Sequence, residues 1–286
     1  MEHLLKIEGL TKHYPEFSLQ DVSFSVPGGS IMGFVGENGA GKTTTIKLIL
    51  DEFPRDGGSV TVFGRDNREA GREIREDIGV VFDDAHFHEI FTAQEVGAFL
   101  KDCYRKWDAA CYDALLKRLE LPAKKRIKEF SRGMRMKLSI AAAMAHRPRL
   151  LLLDEPTSGL DPIVRDEVLE LFQEFIGDEE HAVLFSSHIT EDLEKVADYV
   201  TFLHRGRVVF SEPKDTLLYG WGVIRCGREQ LAGIDPADAA AVRSGDFETR
   251  VLVKDREAAA RKYRGMLVDR ASLEEIMVLY GRGDRA

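Results

Sequence analysis

Residues 36 to 44, Gly36-Glu37-Asn38-Gly39-Ala40-Gly41-Lys42-Thr43-Thr44, satisfy the pattern GxxxxGK[ST] at every required position. Ile31-Met32-Gly33-Phe34-Val35 before them reads as a short buried strand. Thr44-Thr45-Ile46-Lys47-Leu48-Ile49-Leu50 after them carries apolar residues at helical spacing. The glycines therefore lie between a strand and a helix, the context this pattern needs to hold a phosphate. Glycine lets the backbone curl and approach a phosphate with no Cβ in the way. The loop N–H groups then point inward, and the start of the following helix adds positive potential. Lys42 is expected to meet the β- and γ-phosphates and Thr43 to offer its hydroxyl to Mg²⁺. A glycine-rich turn that binds nothing is the alternative, and the complete match in this context weighs against it.

The rest of the chain is read around that loop. With 286 residues, 44% of them hydrophobic and 31% charged, it can bury a large core or two smaller ones. A formal charge of −9 gives no support for binding nucleic acid through a basic surface. No apolar run approaches the roughly 18 residues of a membrane helix, and Met1-Glu2-His3-Leu4-Leu5-Lys6 does not resemble an export signal. Cys103, Cys111 and Cys226 form no CxxC pair, so reduced thiols in a cytosolic protein are expected.

Residues 3–10 and 18–26 alternate loosely between apolar and polar and predict two strands of an N-terminal antiparallel sheet, with a turn at Lys12-His13-Tyr14-Pro15. Further strands are predicted at 60–64, 78–82, 150–153, 182–187, 199–203 and 207–210. The segment from about 92 to 146 carries mostly helical periodicity, and helices are predicted at 162–176 and 191–197. Lys124 to Glu129 is a charge run on a solvated face. Strands alternating with helices imply an α/β fold, a doubly wound core with a parallel sheet and its ligand chemistry at the carboxyl ends of the strands. After about residue 215 the nucleotide-binding signals stop. Residues 216–286 are read as a small α+β appendage, with strands near 222–226 and 249–253 and helices near 255–263 and 272–280.

Three more stretches carry chemistry. Leu150-Leu151-Leu152-Leu153 buries a strand whose end presents Asp154 and Glu155 together. Asp154 can hold Mg²⁺ directly or through water, and Glu155 can act as general base toward a water facing the γ-phosphate. A helix N-cap is the structural alternative for such a pair. His188 closes a second buried strand, where it can reach the γ-phosphate or serve as an ordinary hydrogen-bonding histidine. Phe130-Ser131-Arg132-Gly133-Met134 opens a helix, as an anion site or a plain N-cap would.

Together these residues resemble the ATP-binding cassette family over about residues 3 to 215. The stretch 36–44 is similar to its phosphate loop, Leu150 to Glu155 to its acidic strand with Glu155 at the catalytic position, and His188 to its switch histidine. Ser158-Gly159-Leu160-Asp161 resembles its D-loop, Tyr14 the aromatic that stacks on adenine, and Ser131, Arg132, Gly133 and Met134 its signature sequence, usually Leu-Ser-Gly-Gly-Gln. The resemblance implies a P-loop NTPase core, a helical signature subdomain at about 84–146, ATP and Mg²⁺ as ligands, and ATP hydrolysis. It implies a head-to-tail dimer of cassettes, homodimer or heterodimer, in which Ser131 and Gly133 face the partner's phosphate loop. It also implies a separate integral membrane permease, met around Phe87 to Phe91 by this chain as a peripheral subunit at the cytoplasmic face of the cell membrane.

Two departures from the family pattern matter: the signature carries Phe130, Arg132 and Met134 where Leu, Gly and Gln are usual, and Asp83 stands in place of a glutamine. Arg132, in place of a glycine of the signature, could add a positive charge near the site or point to solvent, and solvent is the slightly favoured expectation. Asp83 stands where a glutamine usually touches Mg²⁺ and the attacking water; as a carboxylate it could also ligate Mg²⁺, so hydrolysis is expected to persist with altered metal dependence. The non-glutamine loop and the tail Ser272-Leu273-Glu274-Glu275-Ile276-Met277 resemble the bacterial exporter branch that handles drugs, antimicrobial peptides or polysaccharides. A soluble cassette acting on ribosomes or DNA, and an ATP-binding regulator without turnover, are the other readings. The former usually has two cassettes or long coiled-coil insertions, and Glu155 and His188 argue against the latter. Arg282-Gly283-Asp284 near the terminus is read as a chance tripeptide.

Overall fold

The computed structural model describes residues 2–83, 87–245 and 247–282. The N-terminal part contains β1 (His3–His13), β2 (Ser18–Pro27), β3 (Ser30–Val35), α1 (Lys42–Ile49), β4 (Gly57–Val62), β5 (Arg65–Asp66), α2 (Gly71–Arg75) and β6 (Ile78–Val81). Three helices follow, α3 (Ala93–Cys103), α4 (Ala109–Arg118) and α5 (Arg132–Met144). The chain then returns through β7 (Leu150–Asp154), α6 (Pro162–Phe175), β8 (Ala182–Ser187), α7 (Thr190–Val196), β9 (Tyr199–His204) and β10 (Arg207–Pro213). It ends with β11 (Gly222–Cys226), α8 (Arg228–Leu231), β12 (Ala239–Ser244), β13 (Thr249–Val253), α9 (Arg256–Lys262), β14 (Leu267–Arg270) and α10 (Leu273–Arg282).

The central sheet has the order β10-β9-β3-β8-β7-β6. Its strands from β9 to β6 are parallel, and β10 pairs antiparallel as a hairpin with β9. Every residue of β3, β7 and β8 is buried, as expected of parallel strands covered on both faces. Alternate residues of one strand feed two cores. Met32, Phe34, Leu150 and Leu152 pack toward the antiparallel sheet β2-β1-β4-β5 and α1, while Ile31, Val35, Leu151 and Leu153 pack toward the helices on the other side. Among the charged-run residues, Ile127 is a buried anchor in a short 3₁₀ turn, so that segment is solvated on one face only.

The fold follows the sequence reading with a few differences. β1 continues through Lys12 and His13, which pair with Leu19 and Ser18, and Asp56 accepts from Lys12 Nζ at 3.1 Å and from His13 N at 2.7 Å. The turn therefore falls on Tyr14 to Phe17, closed by Tyr14 N donating to Phe17 O. Two strands of the C-terminal region went unread. β12 is alanine-rich, a helical preference that its antiparallel pairing with β13 overrides; β14 is only four residues long. The four strands form a sheet of order β12-β13-β11-β14. Val223, Leu252, Leu273, Ile276 and Leu279 join the main core, and Ile224, Val251, Val253 and Tyr263 form a smaller one on the far side. Residues 84–86, where the helical region was expected to begin, and Gly283 and Asp284 lie outside the described residues.

Candidate functional site

Four neighbouring strands of the central sheet deliver their carboxyl ends to one place. β3 runs out of Val35 into the phosphate loop, and Val35 lies beside Ser187 of β8. Asp154 of β7 lies beside Ser186 of β8, and Val81 of β6 beside Leu153 of β7. Glu155, His188 and Asp83 follow within two residues of those strand ends. The cleft they surround, about 690 Å³, is lined by the loop residues Glu37, Asn38, Gly39, Gly41, Lys42, Thr43 and Thr44, by Glu16 and Phe17, and by Asp83, Asp154 and Glu155.

Glycine is required in this loop. Gly41 has φ +111°, and a Cβ there would come within 2.6 Å of Leu19 Cδ2 and 2.7 Å of the Phe17 ring. Gly36 lies so close to the β9 backbone that a Cβ would stand 2.4 Å from Leu203 O. α1 starts at Lys42 with no side-chain cap, so its first N–H groups are free to meet an anion. Lys42 is buried; its Nζ donates to Gly36 O at 2.7 Å and lies 3.3 Å from Glu155 Oε1, without hydrogen-bond alignment there. Glu155 stands in the left-handed region at φ +52°, and its Oε2 accepts from His188 N at 3.2 Å and contacts His188 Nδ1 at 2.6 Å. One carboxylate is thus held between an ammonium and an imidazole at the cleft wall.

Asp154 sits between two hydroxyls. Thr43 Oγ1 donates to Oδ2 at 2.6 Å, and Ser186 Oγ, fully buried, donates to Oδ1 at 2.5 Å. Sequence reading missed Ser186, although a polar residue inside the buried strand Ala182–Ser187 demands a partner. It also missed Phe17, which forms the cleft wall against Gly41, and His204 behind the loop, whose Nδ1 lies 3.0 Å from Glu37 Oε1.

The Thr43 and Asp154 oxygens suit a hard cation that keeps most of its ligands as water and phosphate. No group of three or more His, Cys, Asp or Glu able to hold a metal occurs among the described residues, and a magnesium site completed by a nucleotide needs none. Asp83 lies on the same cleft but is already engaged. Arg132 Nη2 donates to its Oδ1 at 2.6 Å, and the guanidinium packs over Gly159, where a Cβ would come 3.2 Å from Nη1. Arg132 is therefore exposed, as the solvent reading has it, and at the same time places its charge against a carboxylate of the neighbouring loop, as the other reading has it.

The remaining residues form a separate patch. Ser131 is the N-cap of α5, its Oγ accepting from Met134 N at 3.2 Å. Leu160 packs 3.5 Å from the position of a Cβ on Gly133, Asp161 caps α6 by accepting from Val164 N, and Ser158 N donates to Glu155 O. Tyr14 is half-exposed beside Lys12, whose Nζ lies 5.6 Å from its ring, and does not line the cleft.

A family model described as "ABC transporter" matches residues 19–158. The chain is 34% identical to the bacitracin transport ATP-binding protein BcrA of Bacillus licheniformis, over 76% of this chain and 72% of that one. It is 31% identical to the linearmycin resistance ATP-binding protein LnrL of Bacillus subtilis (strain 168), over 89% and 83%. A solved ATP-binding subunit of an ABC transporter superposes with a TM-score of 0.68 and 28% identity, covering 75% of this chain and 91% of that one. A dimeric ATP-binding cassette in a post-hydrolysis state bound to ADP and Pi has the same fold, with a TM-score of 0.66, 24% identity and coverage of 73% and 98%. The phosphate loop, the Asp154-Glu155 strand end and His188 around one cleft agree with these likenesses, and the chain belongs to the ABC transporter family, as an ATP-binding and ATP-hydrolysing subunit.

Proposed function

We propose that this chain is the ATPase motor of an exporter, working as a pair of cassettes on a separate integral membrane subunit at the cytoplasmic face of the membrane. The clamped Glu155 carries the reading. Its carboxylate is positioned to take a proton from a water while His188 Nδ1 fixes its orientation. Lys42 Nζ contacts the Gly36 carbonyl and the Glu155 carboxylate at once, so a γ-phosphate in the loop competes for that ammonium and leaves Glu155 free to act as base. Magnesium, held through Thr43 and Asp154, would neutralise charge building on the phosphates. Asp83 reaches that site only at the expense of its pair with Arg132. Tyr14 is assigned to adenine and the patch of Ser131, Gly133, Ser158 and Leu160 to the partner cassette, homologous or identical.

No described helix is long and apolar enough to cross a membrane. The membrane subunit is assigned to the apolar cleft of about 210 Å³ lined by Phe82 after β6, Phe87, Leu100 of α3, Tyr104, and Ala142 and Ala143 of α5. Relatives named for bacitracin transport, linearmycin resistance and lantibiotic transport point to a drug or antimicrobial peptide as cargo. Residues 1–215 are assigned to the cassette and 216–286 to an accessory region. The test is affinity capture of tagged Glu155→Gln with ATP from detergent-solubilised membranes. A stoichiometric multi-span membrane protein is expected, and recovery of soluble partners alone would overturn the reading. The same variant should bind ATP and lose hydrolysis; undiminished hydrolysis would move the general base elsewhere.

A further inference from the structure

The C-terminal region reaches the phosphate loop through one histidine. β9 ends at His204, a nearly fully buried side chain at the loop's back, with Nδ1 3.0 Å from Glu37 Oε1. The turn that follows is fastened to the same loop, because Gly206 N donates to Ala40 O at 3.1 Å and Leu203 O abuts Gly36. The same imidazole meets the last turn of α10: a Cβ on Gly281 would lie 3.9 Å from both Nδ1 and Cε1. One residue earlier, Tyr280 stacks into an aromatic cluster with Phe202, Phe210 and Trp221, at centroid distances of 6.5, 6.1 and 6.1 Å. Phe202 is on β9 two residues before His204, so α10 fixes the strand that carries the histidine. The N-terminus of α10 is itself tied to the cassette, Leu273 N donating to Glu194 Oε1 at 2.9 Å.

We propose that His204 is a positioning residue for the phosphate loop and that α10 sets its position, so the C-terminal region tunes how tightly the cassette holds ATP. Phosphates entering the loop draw Lys42 away from the Gly36 carbonyl, and the Glu37–His204 contact then remains to hold the loop's outer limb. The proposal rests on ATP binding alone and is independent of cargo and membrane partner.

The experiment measures affinity for a fluorescent ATP analogue in EDTA, where no hydrolysis occurs, on the full chain. His204→Ala is expected to weaken binding by about three- to tenfold, the range of one modest polar contact, and to raise KM more than it lowers kcat. His204→Asn, which keeps a polar atom near the Nδ1 position, should recover most of the loss. Glu37→Ala should reproduce the loss and add nothing in combination with His204→Ala. Tyr280→Ala, outside the cleft lining, should weaken binding in the same direction, again without adding to His204→Ala. Parent-like affinity for His204→Ala, or effects of Tyr280→Ala and His204→Ala that multiply, would overturn the proposal.

Discussion

Ser186→Ala isolates the least visible part of the site. The Ser186 hydroxyl donates to Asp154 Oδ1 at 2.5 Å with both groups buried, and the other oxygen of the same carboxylate receives Thr43. A hydrogen bond to a buried carboxylate contributes about 1.5–3 kcal/mol, and removing its donor leaves the acceptor desolvated and unpaired. At about 1.4 kcal/mol per tenfold, that range corresponds to roughly 10- to 150-fold in an equilibrium constant. Losing a residue that orients a metal-binding carboxylate typically lowers affinity by about 10- to 100-fold. The Mg²⁺ concentration giving half-maximal ATPase should therefore rise at least several-fold in Ser186→Ala, with a lower thermal midpoint. Ser187→Ala is the control, since the Ser187 hydroxyl bonds locally to Ile189 and not to Asp154. Superimposable Mg²⁺ titrations and melting curves for parent and Ser186→Ala would refute the assignment of Asp154 and its hydroxyls to the metal.

Two further perturbations follow from the same geometry. Asp83 and Arg132 are each about half exposed, so their ion pair should show a coupling of only about 0.2–1 kcal/mol in a cycle of Asp83→Gln, Arg132→Ala and the double variant. ATPase should persist in Asp83→Gln with a shifted Mg²⁺ titration; strictly additive effects and an unchanged titration would leave the pair without a role. Asp192 is buried, and burial holds its carboxyl above the usual carboxylate range against the opposing pull of Thr157 and of Arg165 at 3.7 Å. A raised acid pKa contributes stability below the unfolded value of about 4, and that contribution is lost as pH rises through the folded value. Asp192→Asn should therefore be more stable than the parent near neutral pH, with the advantage shrinking toward pH 4; an advantage independent of pH would contradict this.

What could be read from the sequence was what local pattern determines. The loop 36–44 announces itself because only glycine tolerates φ +111° against Phe17 and Leu19, and Leu150 to Leu153 because a strand covered on both faces has no polar face to show. Asp154, Glu155 and His188 were legible as strand-end residues because parallel strands collect their carboxyl ends on one side. Ser186 and His204 were not, because their roles come from the pairing of β8 with β7 and of β9 with β3, which no single segment encodes. Tyr14 matched a motif position, yet Phe17 lines the cleft, since the extension of β1 moves the turn onward. β12 was obscured because three alanines carry no β-signal until β13 supplies its partner.

Arg132 and Asp83 were read as two separate departures from the family pattern, and the structure makes them one. Asp83 adds a carboxylate to a cleft already walled by Glu16, Glu37, Asp154 and Glu155 and built for a polyanion. Unpaired, that charge would oppose phosphate binding, and a glutamine in its place brings no such penalty. Arg132 offsets it from the neighbouring helix start, and because its guanidinium also lies over Gly159 it joins three segments: the loop after β6, the N-terminus of α5 and the turn after Glu155. Where the resemblance leads one to expect a glycine and a glutamine, this chain thus has a pair of opposite charges whose sum is also zero. The pair gives this cassette a side-chain contact between the loop after β6 and the N-terminus of α5.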